Sequence, residues 1–258
     1  MEVKELIIFA GGFGSRLSEE TDIIPKPLVE IGGKPILWHI MKYYSQFGIR
    51  NFTIALGYKG DKIKKYFMDY CFLNQNISIN LKNNSIKIHK DKIEDWNINL
   101  IDTGINTLTS KRLKICMNYI KEENFYLTYG DAVSNVDLNK LTKYHFKANK
   151  ILTITGVKSP PRFGKISFDS KGNLNKFDEK KDDKKDIING GFFVVNRKII
   201  KYLKKNEAFE NGPILNLLKD SEINIYIHND FWQCMDTLAD KNKLNQIWEK
   251  TKIWKNWK

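Results

Sequence analysis

An apolar run without helical period, KELIIFA at residues 4–10, breaks at once into the glycine-rich stretch GGFGSRL at 11–17. A run so short and so evenly apolar reads as a strand buried on both faces, and glycines at its carboxyl end open an α/β domain. The alternation continues along the chain. From Pro35 the apolar residues Ile36, Leu37, Ile40, Met41, Tyr44 and Phe47 recur at three and four, with proline at the start and Gly48 at the end, which predicts a helix. NFTIALGY at 51–58 predicts a strand, and KIKKYFMDYCF at 62–72 a helix with Ile63, Tyr66, Phe67 and Tyr70 on one side. NFYLTYGD at 124–131 predicts another buried strand. Strands joined by helical crossovers lie parallel, and such sheets bind ligands beyond the carboxyl ends of their strands, where the loops 11–17 and 130–131 fall.

Between residues 76 and 101 the pattern shortens to ISINL, SIKIHK and NINLID, which predicts a small antiparallel insertion. Residues 151–196 are again mostly strands: ILTITGV, GKISFD, NLNKFD and IINGGFFVV. The spacing of Leu238, Leu244, Ile247 and Trp248 predicts a last helix over about 238–249, opening a helical tail that runs to 258. Nothing in the pattern divides the chain, so one domain over 1–258 is expected.

The formal charge of +13 invites a nucleic-acid partner, but only five of the 43 basic residues are Arg, and the lysines travel with Asn and Ile. That is the signature of an AT-biased coding sequence. Acids alternate with the bases, as in KKDDKK at 180–185, which is how a solvated surface looks. No nucleic-acid partner is expected, whereas anionic small molecules remain compatible. The opening apolar run is too short for a signal peptide or a membrane span, so a cytoplasmic location is expected, with no membrane partner. Cys71, Cys116 and Cys234 are odd in number and scattered, which suggests neither disulfides nor zinc. The four histidines are equally dispersed and suggest no histidine mechanism. Trp232, Trp248, Trp254 and Trp257 sit at helical or near-terminal spacing and read as packing rather than as a stacking platform for bases.

The glycine loop, Gly11 to Leu17, lets the backbone approach a polyphosphate, and Arg16 adds a fork of charged donors. It is neither a Walker A loop nor a GxGxxG fingerprint. A tight strand-to-loop turn would carry the same glycines, and the loop alone does not separate the two readings. Downstream, Lys26 lies between Pro25 and Pro27, where a stiff backbone holds its charge in place; without the glycine loop it would read as an exposed loop lysine. Asp131 ends a buried-looking strand, and Asp236 lies among apolar neighbours in WQCMDTL. The pair could meet around Mg²⁺, an ion that takes few protein ligands and keeps its substrate's phosphates. Taken singly, each reads as a strand-end or helix-cap residue, Asp236 especially.

Taken together, GGFGSRL, PKPLVEIGGKPILWHIMK, LGYKG, DTG, RLK, YGD, RFG, NGGFF and FWQCMDT occur in the order found in the glucose-1-phosphate cytidylyltransferases, which the chain resembles from about residue 4 to the terminal WEKTKIWKNW. The resemblance implies a Rossmann-like, GT-A-like nucleotidyltransferase fold with a mostly parallel central sheet and helices on both faces. It implies transfer of a cytidylyl group from CTP to a sugar 1-phosphate, with release of pyrophosphate. It assigns Gly11, Gly12, Gly14, Ser15 and Arg16 to a nucleotide cradle, Lys26 to a phosphate, Asp131 and Asp236 to Mg²⁺, and Thr107 and Arg112 to the nucleotide. Lys180, Asn189 and Gly190 are assigned to the sugar phosphate. Arg16, Lys26, Asp131, Lys180 and Asp236 are then the catalytic set, acting by positioning and charge neutralisation rather than through a covalent nucleophile. A homo-oligomer is also implied, and the product would suit surface-polysaccharide deoxysugar synthesis.

The chain departs from the family pattern at Gly130-Asp131-Ala132-Val133, at Ser159 to Gly164 and at Glu179-Lys180-Lys181. It departs again at Phe209-Glu210-Asn211-Gly212-Pro213-Ile214, where a carboxylate expected near the sugar is missing. These changes fall in the acceptor half, so a different sugar phosphate or phosphorylated acceptor is the first alternative, with UTP or dTTP in place of CTP beside it. A non-catalytic nucleotide-binding protein is the second alternative and a nucleic-acid binder the third.

Overall fold

The computed structural model describes residues 2–89, 93–158, 165–168, 174–178 and 187–257. Its centre is a seven-stranded sheet, and the opening apolar run forms one of the inner strands, Glu5–Phe9. Leu6, Ile7 and Ile8 are wholly buried, as expected of a strand covered on both faces. From one edge to the other the strands are Ile223–His228, Leu152–Lys158, Ile187–Asn196, Asn124–Tyr129, Glu5–Phe9, Asn51–Leu56 and Asn97–Asp102. Glu5–Phe9 runs parallel to both its neighbours, Asn51–Leu56 runs parallel to Asn97–Asp102, and Leu152–Lys158 runs parallel to Ile223–His228. Ile187–Asn196 is antiparallel to the strand on either side.

Strand alternation divides the core in two. Leu6, Ile8, Phe52, Ile54, Tyr126 and Phe192 point to one face, where they meet the helices Ile36–Ser45, Gly60–Leu73 and Leu138–Ala148. Ile7, Phe9, Phe125, Leu127 and Phe193 point to the other, under Leu113 and Cys116 of the helix Thr109–Cys116 and Leu217 of the helix Pro213–Lys219. Helices therefore cover both faces of a mostly parallel sheet.

The expected insertion is smaller than the sequence suggested. Only the hairpin Asn76–Asn80 with Ser85–His89 is antiparallel, and all of its strand residues are exposed. NINLID joins the central sheet as its parallel edge strand. Its alternation arises because Ile98 and Leu100 pack on the first core while Asn97 and Asn99 are exposed, before Ile101 turns to the second core. An edge strand half-covered by protein carries the same period as a half-exposed hairpin. Further on, Lys165–Phe168 and Leu174–Asp178 form a second antiparallel pair.

The last helix spans Leu238–Lys250 and is capped by Thr237, with Asp240 completing a reciprocal capping box. The segment behind it folds back onto the first helix, where Trp254 is 1% exposed and donates to Nδ1 of His39 at 3.4 Å. His39 also contacts the Ile31 carbonyl at 2.7 Å through Nε2, and burial lowers its pKa to about 4. Trp248 and Trp257 ring the same histidine, and all four late tryptophans, Trp232 included, pack in or against the first core. Among the described residues no helix is long and apolar enough to cross a membrane.

Candidate active site

Beyond the carboxyl end of Glu5–Phe9 the glycine loop turns sharply. Gly14 has φ of +66°, and the Leu17 amide returns to its carbonyl at 2.9 Å to close the short 3-10 turn Ser15–Leu17. A β-carbon on Gly14 would lie 2.9 Å from the Thr21 methyl, so both the conformation and the space require glycine. The turn leaves Gly12, Gly14, Ser15 and Arg16 on the wall of an open cavity of about 250 Å³.

Gly11 serves a different purpose. It is buried behind that wall, and a β-carbon there would lie 2.3 Å from Nη1 of Arg112. Arg112 points inward, 4% exposed. Its guanidinium donates to the carbonyls of Leu56 at 2.7 Å, Gly11 at 3.0 Å and Ile105 at 3.3 Å, and to the Thr103 hydroxyl. Burial pulls the guanidinium down from its ordinary value. The side chain thus ties together the carboxyl ends of three adjacent strands, and it lines neither cavity of the site. Arg112, to which the resemblance assigned a nucleotide contact, lies here beneath the loop with its donors facing three carbonyls and the Thr103 hydroxyl.

Lys26 opens the 3-10 turn Lys26–Leu28 after Pro25 and aims its ammonium between two carboxylates. Nζ lies 2.8 Å from Asp131 Oδ2 and 2.7 Å from Asp236 Oδ1, and Asp236 Oδ2 takes Nη1 of Arg16 at 3.0 Å. Burial alone would lower the lysine pKa; the charges and hydrogen bonds of Asp131 and Asp236 outweigh it, and the net shift is upward. Lys26 is 12% exposed while Arg16 is 72% exposed, so one cation is built in and the other stands at the rim.

Asp131 and Asp236 meet because the strand Ala132–Ser134 pairs with Trp232–Cys234, and the Met235 amide donates to the Asp131 carbonyl at 2.8 Å. The helix-cap reading of Asp236 falls here, since Thr237 caps the helix and leaves the Asp236 carboxylate facing Lys26 and Arg16.

A second cavity of about 330 Å³ adjoins the first, sharing Tyr129, Asp131 and Asp236 with it. Asn189 and Gly190, which the resemblance assigned to the sugar phosphate, line it together with Trp232 and Cys234. The Trp232 indole donates to the Gly190 carbonyl at 2.7 Å, which fixes the ring as a wall. Thr107 lines neither cavity; Thr109, two residues on, lines the first. Lys180 lies outside the described residues, as do Ser159 to Gly164.

Thr109 and Tyr129 line the first cavity without having been singled out in the sequence, and Trp232, read there as packing, packs against the core and also lines the second cavity. Tyr129 was the one with a signal, standing directly before Gly130-Asp131 at a strand end. Its hydroxyl donates to Glu210, and burial followed by that neighbouring carboxylate pushes the phenol well above its ordinary pKa.

Residues 5–237 match the family model described as nucleotidyl transferase. The glucose-1-phosphate cytidylyltransferase of Salmonella typhi is 43% identical over 254 residues, spanning 97% of this chain and 98% of its own. The probable glucose-1-phosphate cytidylyltransferase of Bacillus subtilis (strain 168) is 41% identical over 97% of this chain and 99% of its own. Among solved structures, a putative glucose-1-phosphate thymidylyltransferase from Bacillus anthracis, in complex with a sucrose, superposes with a TM-score of 0.67. It shares 17% identity and covers 96% of each chain, a likeness of fold.

Proposed function

The chain belongs to the nucleotidyl transferase family, and from that premise we propose that it transfers the cytidylyl group of CTP to α-D-glucose 1-phosphate, giving CDP-glucose and pyrophosphate. The observation that carries the reaction class is the convergence of Lys26, Asp131 and Asp236 where the two cavities meet. The choice of CTP and glucose 1-phosphate is supported by relatives above 40% identity along nearly the whole chain.

In this reading the triphosphate lies along the glycine loop in the first cavity and the sugar phosphate enters the second. An oxygen of the sugar phosphate attacks the α-phosphorus, the bond to the bridging oxygen breaks, and pyrophosphate departs on the opposite side. The attacking phosphate is already ionised near neutral pH, so the chain's task is to hold both anions in line and offset their charge. Gly12, Gly14 and Ser15 let the polyphosphate approach the backbone closely, and Arg16 at the rim meets its outer oxygens. Lys26 sits at the junction, placed to neutralise charge on the phosphate that changes partners.

The donor set fits Mg²⁺. Two carboxylates reach one point, and no group of three or more His, Cys, Asp or Glu gathers among the described residues. An ion that keeps its substrate's phosphate oxygens needs few protein ligands. Asp131 and Asp236 would hold it, where it would draw the phosphates together and neutralise charge building on them. Homo-oligomeric assembly belongs to the same reading, to be checked by sedimentation.

The test is pyrophosphate release in the presence of Mg²⁺ and glucose 1-phosphate, with CTP, UTP, dTTP, ATP and GTP offered in turn and Asp131→Asn as control. Release with CTP, lost in the control, is the expected result. Release with another triphosphate instead would move the base preference. Tight CTP binding without release would replace glucose 1-phosphate with another phosphorylated acceptor.

A further inference from the structure

The Tyr129 ring stands between the two cavities, and its hydroxyl is held from behind. It donates to Oε1 of Glu210, a half-buried carboxylate that lines neither cavity. Asn189 lies within hydrogen-bonding reach of the same phenol oxygen, and Asn189 Oδ1 accepts from the Gly191 amide at 2.9 Å. Gly191 has φ of +75°, and a β-carbon on it would lie 2.7 Å from the Tyr129 ring. Ring and turn therefore fit together in one way. Between them Gly190 offers the carbonyl that fixes the Trp232 indole.

The two sides of Tyr129 differ in what they ask of its hydroxyl. Toward the first cavity the ring packs on Phe9, with centroids 5.7 Å apart, a contact of ring on ring that needs no oxygen. Toward the second, the oxygen is the joint through which Glu210 reaches Asn189, and Asn189, Gly190, Gly191 and Trp232 line that cavity but not the first. Within 209–214 the carboxylate missing from the family pattern falls at Gly212, while Glu210 is kept, and the fold brings its carboxylate to the back of the acceptor wall.

We infer that Glu210 is a positioning residue which, through the Tyr129 hydroxyl and Asn189, sets the shape of the second cavity and with it the affinity for the sugar phosphate. This rests on the reading of that cavity as the acceptor subsite. A hydrogen bond from a phenol to a carboxylate is among the stronger kinds. Without it a buried hydroxyl is orphaned and competes for the Asn189 side chain, whose oxygen now holds the Gly191 turn.

The experiment compares wild type, Glu210→Gln, Glu210→Ala, Tyr129→Phe and the double variant Tyr129→Phe with Glu210→Ala. Pyrophosphate release is measured with each substrate varied while the other saturates. Glu210→Ala and Tyr129→Phe should each raise KM for glucose 1-phosphate roughly tenfold, as expected for one hydrogen bond to a charged group. KM for CTP and kcat should stay within about threefold, the mark of a lost binding interaction for one substrate only. Glu210→Gln keeps an oxygen that accepts the phenol proton and should stay near wild type. The double variant should be no worse than either single one, because both remove the same bond. Tyr129→Phe deletes one oxygen and keeps the ring packing, so it gives the answer even where Glu210→Ala folds poorly. Equal rises in both KM values, a fall in kcat alone, additive effects in the double variant, or unchanged kinetics throughout would overturn the inference. A wild type that turns over neither substrate would overturn the functional reading, and this inference with it.

Discussion

The two cavities that meet at Asp131 and Asp236 are built from different materials. The first is a matter of charge and backbone: a glycine turn, an ammonium held between two carboxylates, and a buried guanidinium that keeps the loop at its height. The second is a matter of rings and a left-handed turn: Tyr129, Trp232 and the Asn189–Gly191 segment, braced by Glu210. A polyphosphate carries enough charge for a few well-placed cations to hold it, whereas a neutral hexose ring is held largely by the shape of its surroundings. Changes to the first side should therefore act on the nucleotide, and changes to the second on the sugar phosphate.

The change that should break this division is Asp131→Asn, because Asp131 belongs to both cavities. Removing its charge leaves Lys26 with one carboxylate, and kcat should fall roughly 10²–10³-fold, as when one transition-state contact is lost. Steady-state kinetics with both substrates would check it, and an intact kcat would remove Asp131 from the chemistry.

Gly57→Ala should strike the nucleotide side alone although Gly57 lines neither cavity. A β-carbon there would lie 2.5 Å from Nη1 of Arg112 and 2.7 Å from the Gly11 carbonyl. Displacing the guanidinium should destabilise the fold by about 1–3 kcal/mol, the usual result of overpacking. It should raise KM for CTP roughly tenfold by shifting the loop. Thermal melting and kinetics together test this, and a rise in KM for the sugar phosphate instead would reverse the roles of the two cavities.

Trp232→Leu should be its counterpart on the acceptor side. Losing the fixed ring should raise KM for glucose 1-phosphate roughly fivefold, in line with the modest energies of aromatic contacts. CTP affinity, read by calorimetry, should hold. The smallest effect belongs to Thr107→Ala, expected to alter either KM by less than about twofold, because a substitution outside the site changes little. A large effect would return Thr107 to the nucleotide contacts that the resemblance assigned it.

Much of the first cavity was legible because its parts are local. The loop, the proline-flanked Lys26 and the strand-end Asp131 each announce themselves within a few residues. The second cavity was less so. Glu210 and Trp232 look like unremarkable members of a helix approach and a terminal aromatic cluster, and only pairing across the fold gives them a task. The place of Arg112 was hidden for the same reason: a positive charge near a nucleotide loop reads as facing the ligand, and only the fold sets its donors against the carbonyls of Gly11, Leu56 and Ile105 and the Thr103 hydroxyl. The segment 97–102 misled because an edge strand of a parallel sheet and one arm of a hairpin share the same period.

By itself the sequence determined the α/β alternation, the buried opening strand and the turn after it, since hydrophobic period and glycine placement act within one element. Tertiary structure decided which strand Asn97–Asp102 would join, that the Asp236 carboxylate would meet Lys26, and that Arg112 would face inward. Each of those choices depends on partners distant in the chain. A residue's pattern reports that it will be buried or bonded, but the identity of its partner is fixed only when separate elements pack and their donors and acceptors must be matched.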